Sequence, residues 1–198
     1  QRNMDSLRVA NKTTLKIGGT TFEVGGYAVD KHLIHPIFQY LDYEYRDFGG
    51  FARVTDERDI AGHRNRLTVG VNHAFGHVDN RQYANLPGAV KGNLLSSSKD
   101  SSQTTTVHAE NAFEVVQGVS LIAGGQYVRA NRKREDRFPD TTDTSGENDY
   151  SFFNPKVGVL WQVDPGWQVF ANVSRSGEAP TFGELNFTNV VLADTKAQ

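Results

Sequence analysis

Two short stretches of the sequence place tyrosine near arginine, a combination that can stack on a ligand and hold its negatively charged groups, and a third stretch is rich in arginine. A guanidinium presents a planar fork of N–H donors that pairs with both oxygens of a carboxylate. We predict ligand contacts in long loops from Tyr40, Tyr43, Tyr45 and Arg46, from Arg81, Gln82 and Tyr83, and from Arg132, Arg134 and Arg137. The alternative is that the last group stays solvated beside Glu135 and Asp136.

The remaining reactive side chains form no catalytic or metal-binding pattern. His32 and His35 have the spacing of a ligand pair, but Pro36 follows at once and no third ligand is evident. Ser174 lacks the strand–turn–helix context of a nucleophilic serine. The glycine pair 124–125 lies within a strand pattern and precedes no helix, so we expect no phosphate cradle there. We therefore predict a protein that is not an enzyme and that binds no cofactor or metal of its own.

The composition of the 198-residue chain argues against several further classes of protein. A net charge of −2 argues against nucleic-acid binding, which usually needs a basic protein. The absence of cysteine excludes disulfides and thiolate zinc sites. No stretch approaches the roughly 20 apolar residues of a membrane-spanning helix. Membrane β-strands leave a weaker signal, because each needs only about 9–11 alternating residues.

Period-2 alternation of apolar and polar residues predicts an all-β fold, an antiparallel up-and-down meander of about eight strands. The connections alternate in length. Those near 18, 57–62, 116–118 and 164–166 are short, whereas the predicted loops 33–45, 78–101 and 131–150 are long and the tail 177–198 is irregular. The predicted strands cover 1–17, 20–32, 46–55, 63–77, 102–115, 119–130, 151–163 and 167–176.

The clearest element is the hairpin at 151–176, which turns at Asp164-Pro165-Gly166. A three-residue loop would place Val163 opposite Trp167, Trp161 opposite Val169, and Val159 opposite Ala171. Because directly paired residues share a face, this register puts the apolar residues of both strands on one side. Leu160 and Phe170 would then face each other on the polar side.

The apolar face of this hairpin can meet either lipid or a protein core. Short turns at one end and long loops at the other are typical of an outer-membrane barrel. Trp161 and Trp167 near one turn would suit the aromatic girdle at a membrane interface. The alternatives are a small structural outer-membrane barrel of eight strands, or a soluble β-domain that binds carbohydrate or protein.

Two long segments carry a family resemblance. GHRNRLTVGVNHAFGHVDNRQY at 62–83 and FFNPKVGVLWQVDPGWQVFANVSRSGEAPTFGEL at 152–185 resemble the barrel of TonB-dependent outer-membrane receptors, most closely the ferric-siderophore branch. The segment GGFARVTDERDIAGHRNRLTVG is similar as well. The resemblance implies a transmembrane barrel of about 22 strands around an internal plug. It also implies that the whole receptor imports a scarce ligand, such as a ferric siderophore, with energy coupled through TonB.

The sequence departs from that family pattern by omission. Only about eight strands are predicted, and neither a plug domain nor an energy-coupling box is found. We therefore expect residues 1–198 to be a partial receptor barrel in the bacterial outer membrane, with TonB contacted through a missing N-terminal part. The resemblance implies a ferric chelate as the transported ligand of the predicted tyrosines and arginines. The basic residues could instead bind lipopolysaccharide beside the membrane lipid.

Overall fold

A computed structural model describes residues 2–138 and 142–186 as one antiparallel sheet with a short C-terminal helix. Each strand pairs with its neighbours in chain order, which confirms the predicted meander. Within the described residues, β1 and β8 are opposite edges of an open sheet, so neither a closed eight-stranded barrel nor a two-sheet sandwich is formed. The elements are β1 Asn3–Ile17, β2 Thr20–Pro36, β3 Gln39–Asp56, β4 Asn65–Leu86, β5 Val90–Val116, β6 Val119–Asp136, β7 Gly146–Asp164, β8 Trp167–Ser174 and α1 Phe182–Asn186.

Residues 33–45, predicted as a loop or a strand end, form the ends of β2 and β3, the predicted loop at 78–101 is wrong, and the predicted loop at 131–150 is too long. β2 and β3 continue to a reversal at 37–38, β4 and β5 to a turn at 87–89, and β6 and β7 leave only 137–145 between them. These strand ends carry polar residues on both faces, so they lack the apolar alternation by which strands are recognised. Ladder hydrogen bonds and cross-strand ion pairs hold them instead.

The predicted asymmetry of short turns at one end and long loops at the other is therefore wrong, since the connections have 2, 8, 2 and 2 residues at one end and 2, 3 and 9 at the other. We call the end with the connections 18–19, 57–64, 117–118 and 165–166 the turn end. Gly18 and Gly118 reverse the chain there with φ of 57° and 79°, in the left-handed region that favours glycine. We call the opposite end, with 37–38, 87–89 and 137–145, the extension end.

The hairpin register is confirmed except at its turn. Trp161 pairs with Val169, Val159 with Ala171 and Leu160 with Phe170, as predicted. Asp164 rather than Val163 pairs with Trp167, so the loop has two residues, 165–166, and Val163 is the extra residue of a bulge. A bulge absorbs one residue on one strand. It thus allows a two-residue loop without moving the apolar residues to the other face.

Adjacent rows of paired residues show the two faces of the sheet. Each row is a set of directly paired residues that runs across the six strands β2 to β7. The row on the apolar face consists of Val24, Ala52, Val71, Val107, Tyr127 and Phe153. The adjacent row on the polar face consists of Glu23, Arg53, Gly70, His108, Gln126 and Asn154. Nothing within the described residues covers the apolar face, where Phe153 is 64% exposed and Trp167 67%. The described chain has no helix long and apolar enough to cross a membrane.

The glycine pair 25–26 in the middle of β2 suggests from sequence either a bulge or a close backbone approach, and the structure shows no bulge there. Gly25 pairs directly with Phe51, and Gly49 pairs with Tyr27, in an unbroken register. A Cβ at Gly25 would lie 2.6 Å from the Phe51 ring, and one at Gly49 would lie 2.8 Å from the Tyr27 ring. The two aromatic rings therefore occupy the space that side chains at these glycines would need.

Candidate ligand-binding cavity

A cavity of about 670 Å³ lies at the extension end of the sheet. We call it the rim cavity. Its walls come from the ends of β3 to β6, from Phe138, Thr142 and Thr144, and from the start of α1. Most of its lining side chains are hydroxyls, phenols and carboxamides: Tyr43, Tyr45, Val78, Asn80, Gln82, Ser96, Ser97, Ser98, Asp100, Arg134, Asp136, Phe138, Thr142, Thr144, Phe182 and Gly183.

An ion pair forms the wall between β5 and β6. Asp100 and Arg134 are directly paired in the ladder, and the Arg134 guanidinium donates from Nε and Nη2 to the two Asp100 oxygens at 2.7 Å each. Asp100 is only 3% exposed and also accepts from Asn80 Nδ2 at 2.9 Å. The hydrogen bonds to Asp100 raise the pKa of Arg134, so the guanidinium stays charged.

Two phenols form the wall opposite this ion pair. The Tyr43 hydroxyl accepts from Gln82 Nε2 at 2.9 Å, and the rings of Tyr43 and Tyr45 meet edge to face with centroids 6.3 Å apart. Lys31 places its ammonium 3.8 Å from the centre of the Tyr45 ring. Burial raises the pKa of both phenols above the usual value, so they are neutral at neutral pH.

Asp136 organises the loop that closes one side of the rim cavity. Its carboxylate accepts from the Phe138 amide at 2.9 Å, and from the amide and hydroxyl of Thr144 at 3.1 and 2.7 Å. The bond from the Phe138 amide, followed by those from Thr144, holds the pKa of Asp136 below its usual value. The carboxylate is therefore a fixed negative charge in the wall.

Alternation along the strands places the predicted site residues on two different faces of the sheet. Tyr43, Tyr45, Gln82 and Arg134 meet at the rim cavity, although on strands rather than in the predicted loops. Arg132 shares their face, and its guanidinium donates to the Thr104 hydroxyl at 3.2 Å and to the carbonyls of Gln103, Asn131 and Pro180. Their contact with a ligand stays a prediction.

The other five predicted residues do not line the rim cavity. Arg46 pairs with Asp30 at 3.1 Å, and Arg81 pairs with Glu44 at 3.3 Å, on the side opposite the cavity. Arg137 follows the end of β6 and bridges Asp79 and Glu135 at 3.1 Å each. The ladder pairs Tyr40 with Tyr83 on that same opposite side. Successive side chains of a strand point to opposite faces, so sequence neighbours such as Tyr45 and Arg46 cannot both reach the cavity, as they could in a loop.

Tyr83 belongs to a second polar cluster, on the side opposite the rim cavity. Lys91 lies 4.0 Å from the centre of the Tyr83 ring and donates to Asp42 at 2.6 Å. His32 Nε2 is 2.7 Å from the other Asp42 oxygen. Burial of Asp42 opposes its ionisation, but the bonds to Lys91 and His32 outweigh burial and lower its pKa. The hydrogen bonds that Asp42 makes with Lys91 and His32 therefore join the ends of β2, β3 and β5.

Sequence reasoning missed the members of the cavity wall that lie next to no aromatic residue. These include Asn80, Ser98, Asp100 and Asp136, which face the cavity only because their strands continue past the predicted ends. Within residues 2–138 and 142–186 no three His, Asp or Glu side chains come together to hold a metal ion. The rim cavity offers hydrogen-bonding groups and aromatic rings to a ligand.

Comparison with solved structures shows the same fold. The chain is similar to the ferric citrate transporter FecA in its unliganded form (14% identity, TM-score 0.72), to the alcaligin outer membrane receptor FauA from Bordetella pertussis (12%, 0.72) and to the siderophore receptor PiuA from Acinetobacter baumannii (10%, 0.71). These matches cover 87%, 87% and 89% of this chain but only 27%, 29% and 32% of the three receptors. No curated protein matches significantly.

A family model described as TonB dependent receptor-like, beta-barrel matches residues 5–197, which is nearly the whole chain. The open meander, its two unlike faces and its long strands agree with a section of such a barrel wall. The resemblance seen in the sequence is therefore confirmed, and the chain belongs to the family of TonB-dependent receptor β-barrels.

Proposed function

We propose that this chain is part of an outer-membrane receptor that binds a ferric chelate and imports it with energy supplied through the TonB protein. In this proposal the apolar face meets lipid, and the polar face lines the lumen. The turn end, with Asp164-Pro165-Gly166, lies at the periplasmic rim. The extension end lies outside the cell. TonB is contacted by a part of the receptor outside residues 1–198.

The exposed area of the chain supports a lipid environment for the apolar face. A compact soluble monomer of this mass, 21.9 kDa, exposes about 9,300 Å². This chain exposes 13227 Å², because a single sheet leaves both of its faces uncovered, and the apolar one is the face that we propose for lipid. On that face β6 carries apolar residues or glycine from Val119 to Tyr127, and β4 carries apolar residues from Leu67 to Phe75 except at His73, which bonds the Thr105 hydroxyl at 2.8 Å. Stretches of that length match the about 9–11 residues with which a tilted strand crosses a bilayer.

The observation that carries the proposal is the position of the rim cavity. It lies on the polar face at the extension end, where a ligand arriving from outside would first meet the lumen. Arg46, Arg81 and Arg137 lie on the other side, above the apolar stretch, and pair with carboxylates there. We propose that these arginines contact lipopolysaccharide and that the chelate contacts the cavity.

The test is uptake of radiolabelled ferric chelates by the full-length receptor in an iron-starved host that lacks its own ferric-siderophore receptors. We expect uptake of at least one chelate, and its loss in a strain without TonB. The variants Tyr43→Ala and Gln82→Ala should raise the KM for that chelate, whereas Ser101→Ala, on the apolar-face side of β5, should not. Uptake of no chelate, or uptake independent of TonB, would refute the proposal.

A further inference from the structure

We infer that Arg129 binds a phosphate group of lipopolysaccharide at the outer boundary of the apolar face. Nothing in the proposed function assigns a role to this arginine. The site rests on the proposed function, because it requires that the apolar face meets lipid and that the extension end lies outside the cell. It deepens that function by naming the side chains that hold a lipid phosphate.

Arg129 is an exposed cation without a countercharge in the described part of the chain. It lies on the apolar side of β6, where its ladder partners are Thr105 on β5 and Ser151 on β7. Its guanidinium makes no ion pair or hydrogen bond with another described residue. Asp149, two residues from Ser151 on the same side, accepts from Asn131 Nδ2 at 3.4 Å instead. The five N–H donors of an arginine therefore all remain available here to a ligand.

Other basic side chains on this side of the sheet differ from Arg129 in having a countercharge. Arg46, Arg81 and Lys133 each pair with a carboxylate at 3.1 to 3.3 Å. A phosphate that approached one of them would have to displace that carboxylate or lie beside it, and like charges at short range repel. A phosphate at Arg129 displaces no carboxylate, so this arginine attracts an anion more strongly than the paired cations do.

The position of Arg129 along β6 matches the level of the lipid headgroups. On this face β6 carries apolar residues or glycine from Val119 to Tyr127, and Arg129 comes next. Arg129 follows Val119 by ten residues, which rise about 25 Å along the barrel axis at about 3.3 Å per residue and a tilt of about 40°. The apolar band of an outer-membrane barrel is also about 25 Å tall. With the turn end at the periplasmic rim, Arg129 lies where the outer leaflet changes from acyl chains to phosphates.

The surroundings of Arg129 suit a phosphate that carries acyl chains rather than a free phosphate ion. The adjacent row toward the turn end consists of Val107 at 48%, Tyr127 at 49% and Phe153 at 64% exposure. These side chains offer an apolar surface to acyl chains directly below the guanidinium. The hydroxyls of Thr105 and Ser151 flank it, and a guanidinium fork with neighbouring hydroxyl donors matches the oxygens of a phosphate.

The experiment measures binding of lipid A, the acylated and phosphorylated end of lipopolysaccharide, to the purified full-length receptor in detergent, by native mass spectrometry. Arg129→Gln should weaken binding of bisphosphorylated lipid A about tenfold, because charge-assisted hydrogen bonds to the phosphate are lost. Arg129→Lys should keep part of the affinity, since it retains the charge but not the fork. Arg8→Gln is the matched control and should bind as wild type, because Arg8 is an exposed arginine on the polar face, paired with Val29.

Three further probes separate the sources of phosphate: lipid A without its phosphates, phosphatidylglycerol and inorganic phosphate. The difference between wild type and Arg129→Gln should vanish for the dephosphorylated lipid. An equal difference for phosphatidylglycerol, or competition by inorganic phosphate, would overturn the assignment to lipopolysaccharide. Equal binding of bisphosphorylated lipid A by wild type and Arg129→Gln would overturn the site and leave the proposed uptake of a ferric chelate standing. Binding of no lipid by the wild type would overturn both the site and the lipid-facing position of the apolar face.

Discussion

Replacement of Arg134 by glutamine tests whether the buried ion pair holds the extension end together. The wild-type guanidinium makes two bonds of 2.7 Å to Asp100. After Arg134→Gln, the Asp100 carboxylate keeps the Asn80 amide at 2.9 Å but loses its countercharge while only 3% exposed. A buried charge without a partner is strongly unfavourable, and local opening of β5 from β6 would relieve it by hydrating the carboxylate.

The structure sets the size of the effect. Removal of one partner from a buried pair destabilises by about 3–5 kcal/mol. The Arg134 side chain retains 18% exposure, so we place the effect near the lower bound, at about 3 kcal/mol. That free energy raises the population of the open form about 100-fold. Arg137→Gln is the matched control, because its side chain is 45% exposed and the side chains of its partners Asp79 and Glu135 are 19% and 43% exposed, against 4% for that of Asp100. Exposed pairs contribute only about 0–1 kcal/mol.

The assay is amide hydrogen exchange of the full-length receptor in detergent, read from peptides that cover 96–104 and 130–138. Protection in Arg134→Gln should fall about 100-fold, while Arg137→Gln stays near wild type. The double variant Asp100→Asn with Arg134→Gln should recover much of the loss, because no buried charge remains. Equal protection in the two single variants would show that the pair does not stabilise these strands.

Two further predictions concern the sheet between its ends and at the turn end. Gly25→Ala should destabilise the barrel by about 1–3 kcal/mol in thermal unfolding, since the new Cβ would meet the Phe51 ring and the Asn11 carbonyl oxygen at 2.6 and 2.8 Å. Gly26→Ala, with its nearest contact at 3.2 Å, should cost less, and an equal loss would contradict this packing argument. Glu114 accepts bonds from Arg64 and from the Gly118 amide, which lower its pKa from 4.5 to about 2. The stability it contributes is therefore present above pH 4.5 and lost as the pH falls toward 2. Glu114→Gln should abolish that part of the acid dependence of unfolding, and a wild-type acid profile in the variant would refute the assignment.

The sequence alone determined the class of the fold and its best-formed hairpin. Alternating apolar residues in β7 and β8 have one register that places Trp161 opposite Val169 and keeps both strands two-faced. The turn chemistry of Asp164-Pro165-Gly166 located the reversal, and only the bulge at Val163 differed from the prediction. Period-2 patterning identifies a strand wherever one face is apolar, because burial of that face fixes both element and register.

Tertiary structure alone decided the extension end and hence the cavity. Around Asp42 to Arg46 and around Asn80 to Tyr83 both faces of the strands are polar, so no local pattern distinguishes strand from loop. Pairing with neighbouring strands makes these segments continue, and alternation then sends Tyr43 and Gln82 into the cavity and Arg46 and Arg81 away from it. The partner of Arg134, a buried aspartate 34 residues earlier, is likewise set by the β5–β6 register. Which charges pair with each other is therefore a property of that register.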